Sequence, residues 1–184
     1  MSEFTDYLRD DHCAFIAKQP VFFVATAAPE ARINLSPKGM DSFRVLDNKR
    51  VGYLDVSGSG NETHAHLAAD GRATIMFCAF DRPALILRIY AHGRAILPQD
   101  DRWAELAPHF EILPGTRQIF EFDVDTVQTS CGWAVPFMTF DRERQTLKKY
   151  AAKYTEAELL AEQQGRTKSI DGLPVRLQDR VPTC

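Results

Sequence analysis

The sequence predicts a mainly β fold in a single domain: a closed or nearly closed antiparallel barrel with helices packed outside it. Three observations predict this. About six short segments have strand composition and are bounded by turn residues, with few helices between them. Residues 117–130 alternate with a period of two, Phe120, Phe122 and Val124 facing one way and Glu121, Asp123 and Asp125 the other. The 184 residues suit one domain spanning 1–184, undivided by any repeat, low-complexity tract or linker.

Taken in order, the chain opens on a predicted helix over 4–18, where Phe4, Tyr7, Leu8, Phe15 and Ile16 form an apolar stripe. VFFVATA (21–27) is apolar and rich in aromatic and β-branched residues, as strands are. RINLS (32–36) alternates, placing Ile33 and Leu35 on one face and Asn34 and Ser36 on the other. RVGYLDV (50–56) reads as a strand ended by Ser57-Gly58-Ser59-Gly60. Residues 61–70 read as a helix that stops at Gly71. RATIMFCAF (72–80) is a nearly unbroken apolar strand, and 84–97 a further alternating one. A short helix is expected over 100–107. A helical tail is expected over 141–165, with Leu147, Tyr150, Ala151 and Tyr154 in a stripe and Thr155 and Glu158 at capping-box spacing.

Composition excludes several classes. Apolar residues make up 45% and charged residues 26%, and the net charge is −3, so nothing favours a nucleic-acid or anionic-membrane partner. No stretch approaches the ~20 apolar residues of a membrane span, and the acidic start, MSEFTDYLRDDH, is unlike a secretory leader. Cys13, Cys78, Cys131 and Cys184 are scattered without a C-x-x-C pair, as expected of reduced thiols in a cytoplasmic protein. No metal site is expected. His64 and His66 lie two apart on a helix, do not face each other, and read as surface or packing residues.

The chemistry concentrates at the turn from Ser57 to Thr63, between a strand and a helix. Unpaired N–H groups and the partial positive charge of a helix start suit a phosphate, and Ser59, Asn61 and Thr63 add neutral donors. The residues leave a second reading open, in which Ser59 or Asn61 caps the helix and no ligand binds. A dinucleotide fingerprint fails, because Thr63 stands where the third glycine belongs and no β-α alternation follows. Lys38, beside Pro37 and Gly39, could serve a phosphate or simply be solvated. Arg88, inside ALILRIYAHG, needs a partner for its charge, either a structural carboxylate or a cofactor group. Trp133, at a strand end near Gly132 and Pro136, could close over a flat ligand or pack on the rim. Cys131 has no base placed beside it, and no residue is nominated as catalytic.

The order VFFVATA, RINLSPKGMDSFRVL, VGYLDVSGSGNETHAHL, ATIMFCAF, ILRIYAHGRA, QTSCGWAVPFM and SIDGLP resembles the pyridoxamine 5′-phosphate oxidase-related family of FMN-binding proteins. More narrowly it resembles a bacterial branch mostly without assigned activity, and the likeness covers roughly 20–175. The resemblance implies a six-stranded split barrel and a homodimer with FMN in a cleft at the subunit interface. It nominates Arg32, Asn34, Leu35, Ser36 and Lys38 along the flavin, and Ser59, Asn61 and Thr63 at the phosphate. The true oxidases carry an Arg-Lys pair where this chain has Gly60 and Asn61, so the cation must come from elsewhere, with Lys38 and then Arg88 the candidates. Their C-terminal arginine-x-histidine run is also absent, which argues against pyridoxine-phosphate oxidation. The expectation is an FMN-dependent oxidoreductase acting on an unknown small molecule. The alternatives are a non-enzymatic flavin carrier or redox-responsive module, or a related barrel holding deazaflavin or haem.

Overall fold

The structure, a computed structural model, describes residues 2–56 and 58–177; Ser57 of the serine-glycine run and Cys184 lie outside the described residues. Eight strands are present among the described residues: β1 (Glu3–Thr5), β2 (Phe22–Thr26), β3 (Asn34–Lys38), β4 (Phe43–Val45), β5 (Arg50–Val56), β6 (Arg72–Cys78), β7 (Leu85–Ile96) and β8 (Thr116–Cys131). They form one antiparallel sheet in the order β3-β2-β6-β7-β8-β5-β4, with β1 added on β8. The sheet curls into a half-barrel, the split-barrel form that the family resemblance implied. Six of its strands have five residues or more, and β1 and β4 have three each.

The helices are α1 (Asp10–Ile16), α2 (Glu62–Ala69), α3 (Trp103–Leu106), α4 (Thr146–Ala151) and α5 (Glu156–Gln164). Inside the curl, Tyr53, Phe77, Phe120, Phe122, Ile75, Leu87 and Ile89 are almost wholly shielded from solvent. Phe22, Phe43, Tyr53 and Phe77 pack ring on ring. On the other face of β5 and β8, Leu54 and Ile119 meet Leu106 and Phe110. Both faces of these strands are therefore covered where α3 lies over them, which is why their apolar runs are nearly continuous. Gly71, with φ of +89°, ends α2 in the left-handed conformation that favours glycine.

Three expectations need correction. The predicted helix over 4–18 begins at Asp10, while Phe4 lies in β1 and is exposed with Tyr7. The cause is β8, which outruns β5 and leaves an open edge at 127–129; residues 3–5 pair with that edge and satisfy its backbone groups. The tail over 141–165 is helical only from Thr146, in two pieces, and Tyr150 and Tyr154 stay partly exposed. Its second piece does start on the Thr155–Glu158 capping box. Glu121 shares the outward period of Asp123 and Asp125 but is fully buried, because Arg94 and Arg102 fold over it at 2.7 and 2.6 Å.

Candidate functional site

A cleft of about 470 Å³ opens between β3, the ends of β5 and β8, and the start of α2. Its lining gathers six of the ten residues picked from the sequence: Asn34, Ser36, Lys38, Ser59, Asn61 and Thr63. Alternation along β3 explains the first three, which share one face. Asn34 Nδ2 donates to Thr63 Oγ1 at 3.2 Å and so ties β3 to α2.

The other four are placed elsewhere. Leu35 is on the opposite face of β3, 64% exposed, with Ile33 beside it at 78%. Arg32 turns its guanidinium and its backbone N–H to Asp171. Arg88 lies on β7 and donates to Ser130 Oγ at 3.1 Å; its partner is neither a carboxylate nor a group of the cleft. Trp133 is 86% exposed just beyond β8.

A second cation, Arg117, lines this cleft with Lys38, and the sequence reading did not single it out. Its Nε and Nη2 hold Asp55 Oδ2 at 3.0 and 2.9 Å, and its Nη1 donates to the Gly60 carbonyl at 2.8 Å. Lys38 Nζ holds the other oxygen of Asp55 at 3.2 Å and sits 5.6 Å from the centre of the Tyr53 ring. Burial alone would raise the Asp55 carboxyl, but the charges of Arg117 and Lys38 and the Gln118 hydrogen bond hold it below the ordinary carboxylate value. Around Asp55 two cations face one carboxylate, while the other acid of the lining, Glu62, lies at the start of α2.

A β-bulge makes the arrangement possible. Asp55 pairs with Gln118 but Val56 pairs with Thr116, so Arg117 is an extra residue in β8. Neighbours on a regular strand point to opposite faces, yet Arg117 and Gln118 both reach Asp55 Oδ2, the latter at 2.9 Å. Asp55, a lone carboxylate within VGYLDV, was the signal that such a partner had to exist.

Gln118 Nε2 also donates to Asn61 Oδ1 at 2.7 Å. Asn61 is the N-cap of α2 and the residue type best suited to cap it, but its oxygen is drawn away and the helix has no side-chain cap. The first N–H groups of α2 are thus left to whatever occupies the cleft. Of the capped-turn alternative, the part that made Asn61 the side-chain cap is not met. Glu62, the acid of the turn, accepts from Ile170 N–H with both oxygens, at 3.2 and 3.1 Å.

Beneath the cleft, the Tyr53 hydroxyl is buried and makes no hydrogen bond of normal geometry among the described residues, the Thr63 side chain being a polar group near it. Burial, reinforced by Asp55, pushes this phenol well above its ordinary value, with Thr63 and Arg117 opposing. Tyr53→Phe is therefore expected to leave the ligand-free protein as stable as before or more stable, by up to the roughly 1–3 kcal/mol that an unsatisfied buried hydroxyl costs. Urea unfolding checks this; a clear loss of stability would mean that the hydroxyl has a partner.

A second cavity, about 670 Å³, shares Pro37, Lys38, Gly39, Met40 and Leu147 with the cleft. Pro20, Val21, Phe80, Met138 and Phe140 make it apolar, and charges of both signs stand around it, among them Lys18, Asp81, Arg142 and Glu143. Met40, which lines both spaces, and Asp41 after it have φ of +61° and +51°, strain of the kind that collects at functional sites. No histidine or cysteine lines either cavity, and no group of metal-ligating side chains occurs among the described residues.

The family model described as pyridoxamine 5′-phosphate oxidase matches residues 8–131, two thirds of the chain and every strand of the cleft. The chain belongs to the pyridoxamine 5′-phosphate oxidase family. A relative in Aspergillus flavus, described as pyridoxamine 5′-phosphate oxidase family protein ustO, is 39% identical over 194 residues, covering 95% of this chain and 78% of the relative. Among solved structures, a substituted form of HupZ from Group A Streptococcus is similar with a TM-score of 0.52 at 20% identity, over 66% of this chain and 98% of that one. A Lactobacillus delbrueckii protein described as a candidate pyridoxamine 5′-phosphate oxidase gives 0.53 at 18%, over 67% and 94%. These two likenesses carry the fold, not the activity. Among the described residues of this family member, no helix is long and apolar enough to cross a membrane.

Proposed function

We propose that this family member binds FMN, with its phosphate in the cleft, and is an FMN-dependent oxidoreductase toward a small molecule that enters the adjoining apolar cavity. The observation that carries the reading is the uncapped start of α2 facing Lys38 and Arg117. A dianionic phosphate needs hydrogen-bond donors and positive charge together, and this cleft offers both. The donor set fits a phosphomonoester. Lys38 and Arg117 supply charge, Ser36, Ser59, Asn61 and Thr63 supply neutral donors, and Asp55 is already neutralised.

β3 is an edge strand, so the backbone groups on its open side are free to meet the polar edge of a flavin ring, except at Pro37, which has no N–H. Bound FMN would supply the electron transfer, and the protein binding, orientation and electrostatics. The residues do not provide an obvious proton carrier, since Asp55 is locked by Arg117, Lys38 and Gln118. For haem, this chain brings no histidine to either cavity among the described residues.

Fluorescence titration of the flavin-free protein with FMN and with riboflavin tests the reading, and FMN should bind far more tightly. Equal affinity, or none, would sink it. Consumption of NADH or NADPH with an acceptor separates the oxidoreductase from a flavin carrier, which would bind FMN and stay redox-silent with every donor.

The exposed apolar face of β3 and the arm carrying Trp133, Phe137, Met138 and Phe140 support a homodimer as the working form. Leu35→Asp should then shift sedimentation from a dimer to a 20.8 kDa monomer. A wild-type monomer that retains flavin at micromolar concentration would overturn the dimer.

A further inference from the structure

Residues 166–177 form a strap that folds back on itself, with Val175 N–H bonded to the Thr167 carbonyl at 2.9 Å and Ser169 N–H to that of Leu173 at 2.8 Å. The strap is tied to the site at three points. Asp171 holds Arg32 just ahead of β3, Ile170 N–H meets Glu62, and Arg176 N–H meets His64 Nε2 at 3.0 Å. Two of these ties fall on the first three residues of α2, the turn that lines the cleft.

The protonation state of His64 follows from its neighbours. Ionised Asp55 can only accept, so the contact at Oδ2 must come from the amide nitrogen of Gln118. The Gln118 oxygen then faces His64 Nδ1 at 2.7 Å, so Nδ1 carries the proton and donates. Nε2 must therefore be bare, because it accepts from Arg176 N–H. The imidazole is neutral, 3% exposed, and both of its nitrogens are used.

We propose that His64, as the neutral Nδ1–H imidazole, is a positioning residue for the cleft: it locks Gln118 toward Asp55 and Asn61, and it couples docking of the C-terminal strap to occupancy of the cleft. The inference rests on the phosphate reading above. The chain of contacts runs strap backbone, His64, Gln118, then Asp55 and Asn61, and ends at the two cations and at the N-cap oxygen withheld from α2. An anion on the α2 N–H groups and the strap on Glu62 and His64 hold the same turn in the same place, so each should tighten the other.

Protonation would break the chain. An N–H at Nε2 would confront the N–H of Arg176, and a buried positive charge would sit with Arg117 of β8 and Arg176 of the strap, opposed by Asp55 of β5. Burial is the largest influence and pushes His64 below its ordinary 6.5; the Gln118 bond works the other way, the two arginines assist and Asp55 opposes. With the folded value depressed, the contribution of neutral His64 is complete above 6.5 and is lost as the pH falls below it.

The test has three readings. Nitrogen-15 NMR of the histidine rings should show the Nδ1–H tautomer at His64, titrating below an ordinary histidine. FMN affinity should be measured from about pH 8 to about pH 5 in wild type and in His64→Gln, which keeps a donor and an acceptor but cannot titrate. His64→Gln should bind FMN within a few-fold of wild type at the upper end and lose the steeper part of the decline, keeping only that of the phosphate itself. His64→Leu should weaken FMN at least about tenfold, the equivalent of 1.4 kcal/mol. Hydrogen exchange over 166–177 should slow on adding FMN to wild type and not to His64→Leu. An Nε2–H tautomer, ordinary titration, matching pH profiles in wild type and His64→Gln, or strap exchange indifferent to FMN would each overturn the inference. Should His64→Leu fail to fold, the tautomer and the His64→Gln profile still decide it. Absence of FMN binding by wild type at about pH 8 would instead overturn the phosphate reading, and with it the coupling to the strap.

Discussion

Arg117→Gln is expected to lose most of the FMN affinity while leaving that for riboflavin nearly unchanged. Arg117 is the more deeply buried of the two cations, and its guanidinium reaches both Asp55 and the carbonyl of Gly60 in the phosphate turn. Removing a charged partner from a buried site costs on the order of 2–5 kcal/mol. Only the phosphate distinguishes FMN from riboflavin, so the loss should fall on FMN. Part of any general destabilisation will come from Asp55, left with Lys38 alone, and Asp55→Asn in the same chain should relieve that part. Lys38→Ala should act in the same direction and less strongly, because Lys38 is more exposed and its effect should shrink with salt. Fluorescence titration of both variants with both ligands measures the difference. A parallel loss of FMN and riboflavin would place these residues at the ring and not at the phosphate.

Gly93→Ala is expected to be among the most damaging single substitutions outside the site. Gly93 lies in β7 opposite Phe122 of β8. A Cβ there would stand 2.5 Å from Phe122 Cε1, closer still to Cδ1, and 3.2 Å from the Glu121 carbonyl. Phe122 is fully buried, with Tyr53 stacked at 5.9 Å, so the ring has nowhere to go without disturbing the floor of the barrel. Overpacking of this kind costs roughly 1–3 kcal/mol, a fall of several degrees in Tm for a chain of this size. Phe122→Leu added to Gly93→Ala should recover part of the loss. Thermal and urea unfolding of the single and double variants checks this, and unchanged stability of Gly93→Ala would refute the close approach of β7 to Phe122.

The sequence by itself determined the elements whose cause is local. Period-two alternation located the long strands, the Ser-Gly run marked the turn, Gly71 marked the end of α2, and Thr155 with Glu158 marked the start of α5. It also set Asn34 and Ser36 on one face of β3 and the apolar Ile33 and Leu35 on the other. What it could not give was which face turns inward. The polar face of β3 lines the cleft and the apolar face is exposed, the reverse of a strand buried on its apolar side.

Tertiary structure alone brought Arg117 and Asp55 together at the cleft. Arg117 and Asp55 are 62 positions apart and meet because β5 and β8 pair in one register, with a bulge at Arg117 that no local pattern announces. Arg88, singled out because its apolar neighbours suggested burial, is half-buried on β7 away from this cleft and donates to Ser130. The same long-range register turned Glu121 from an outward acid into a buried one and brought the C-terminal strap to His64. Local sequence sets the period and the caps because those depend on neighbours along the chain. Strand pairing joins residues tens of positions apart, and the charges of this site belong to that pairing.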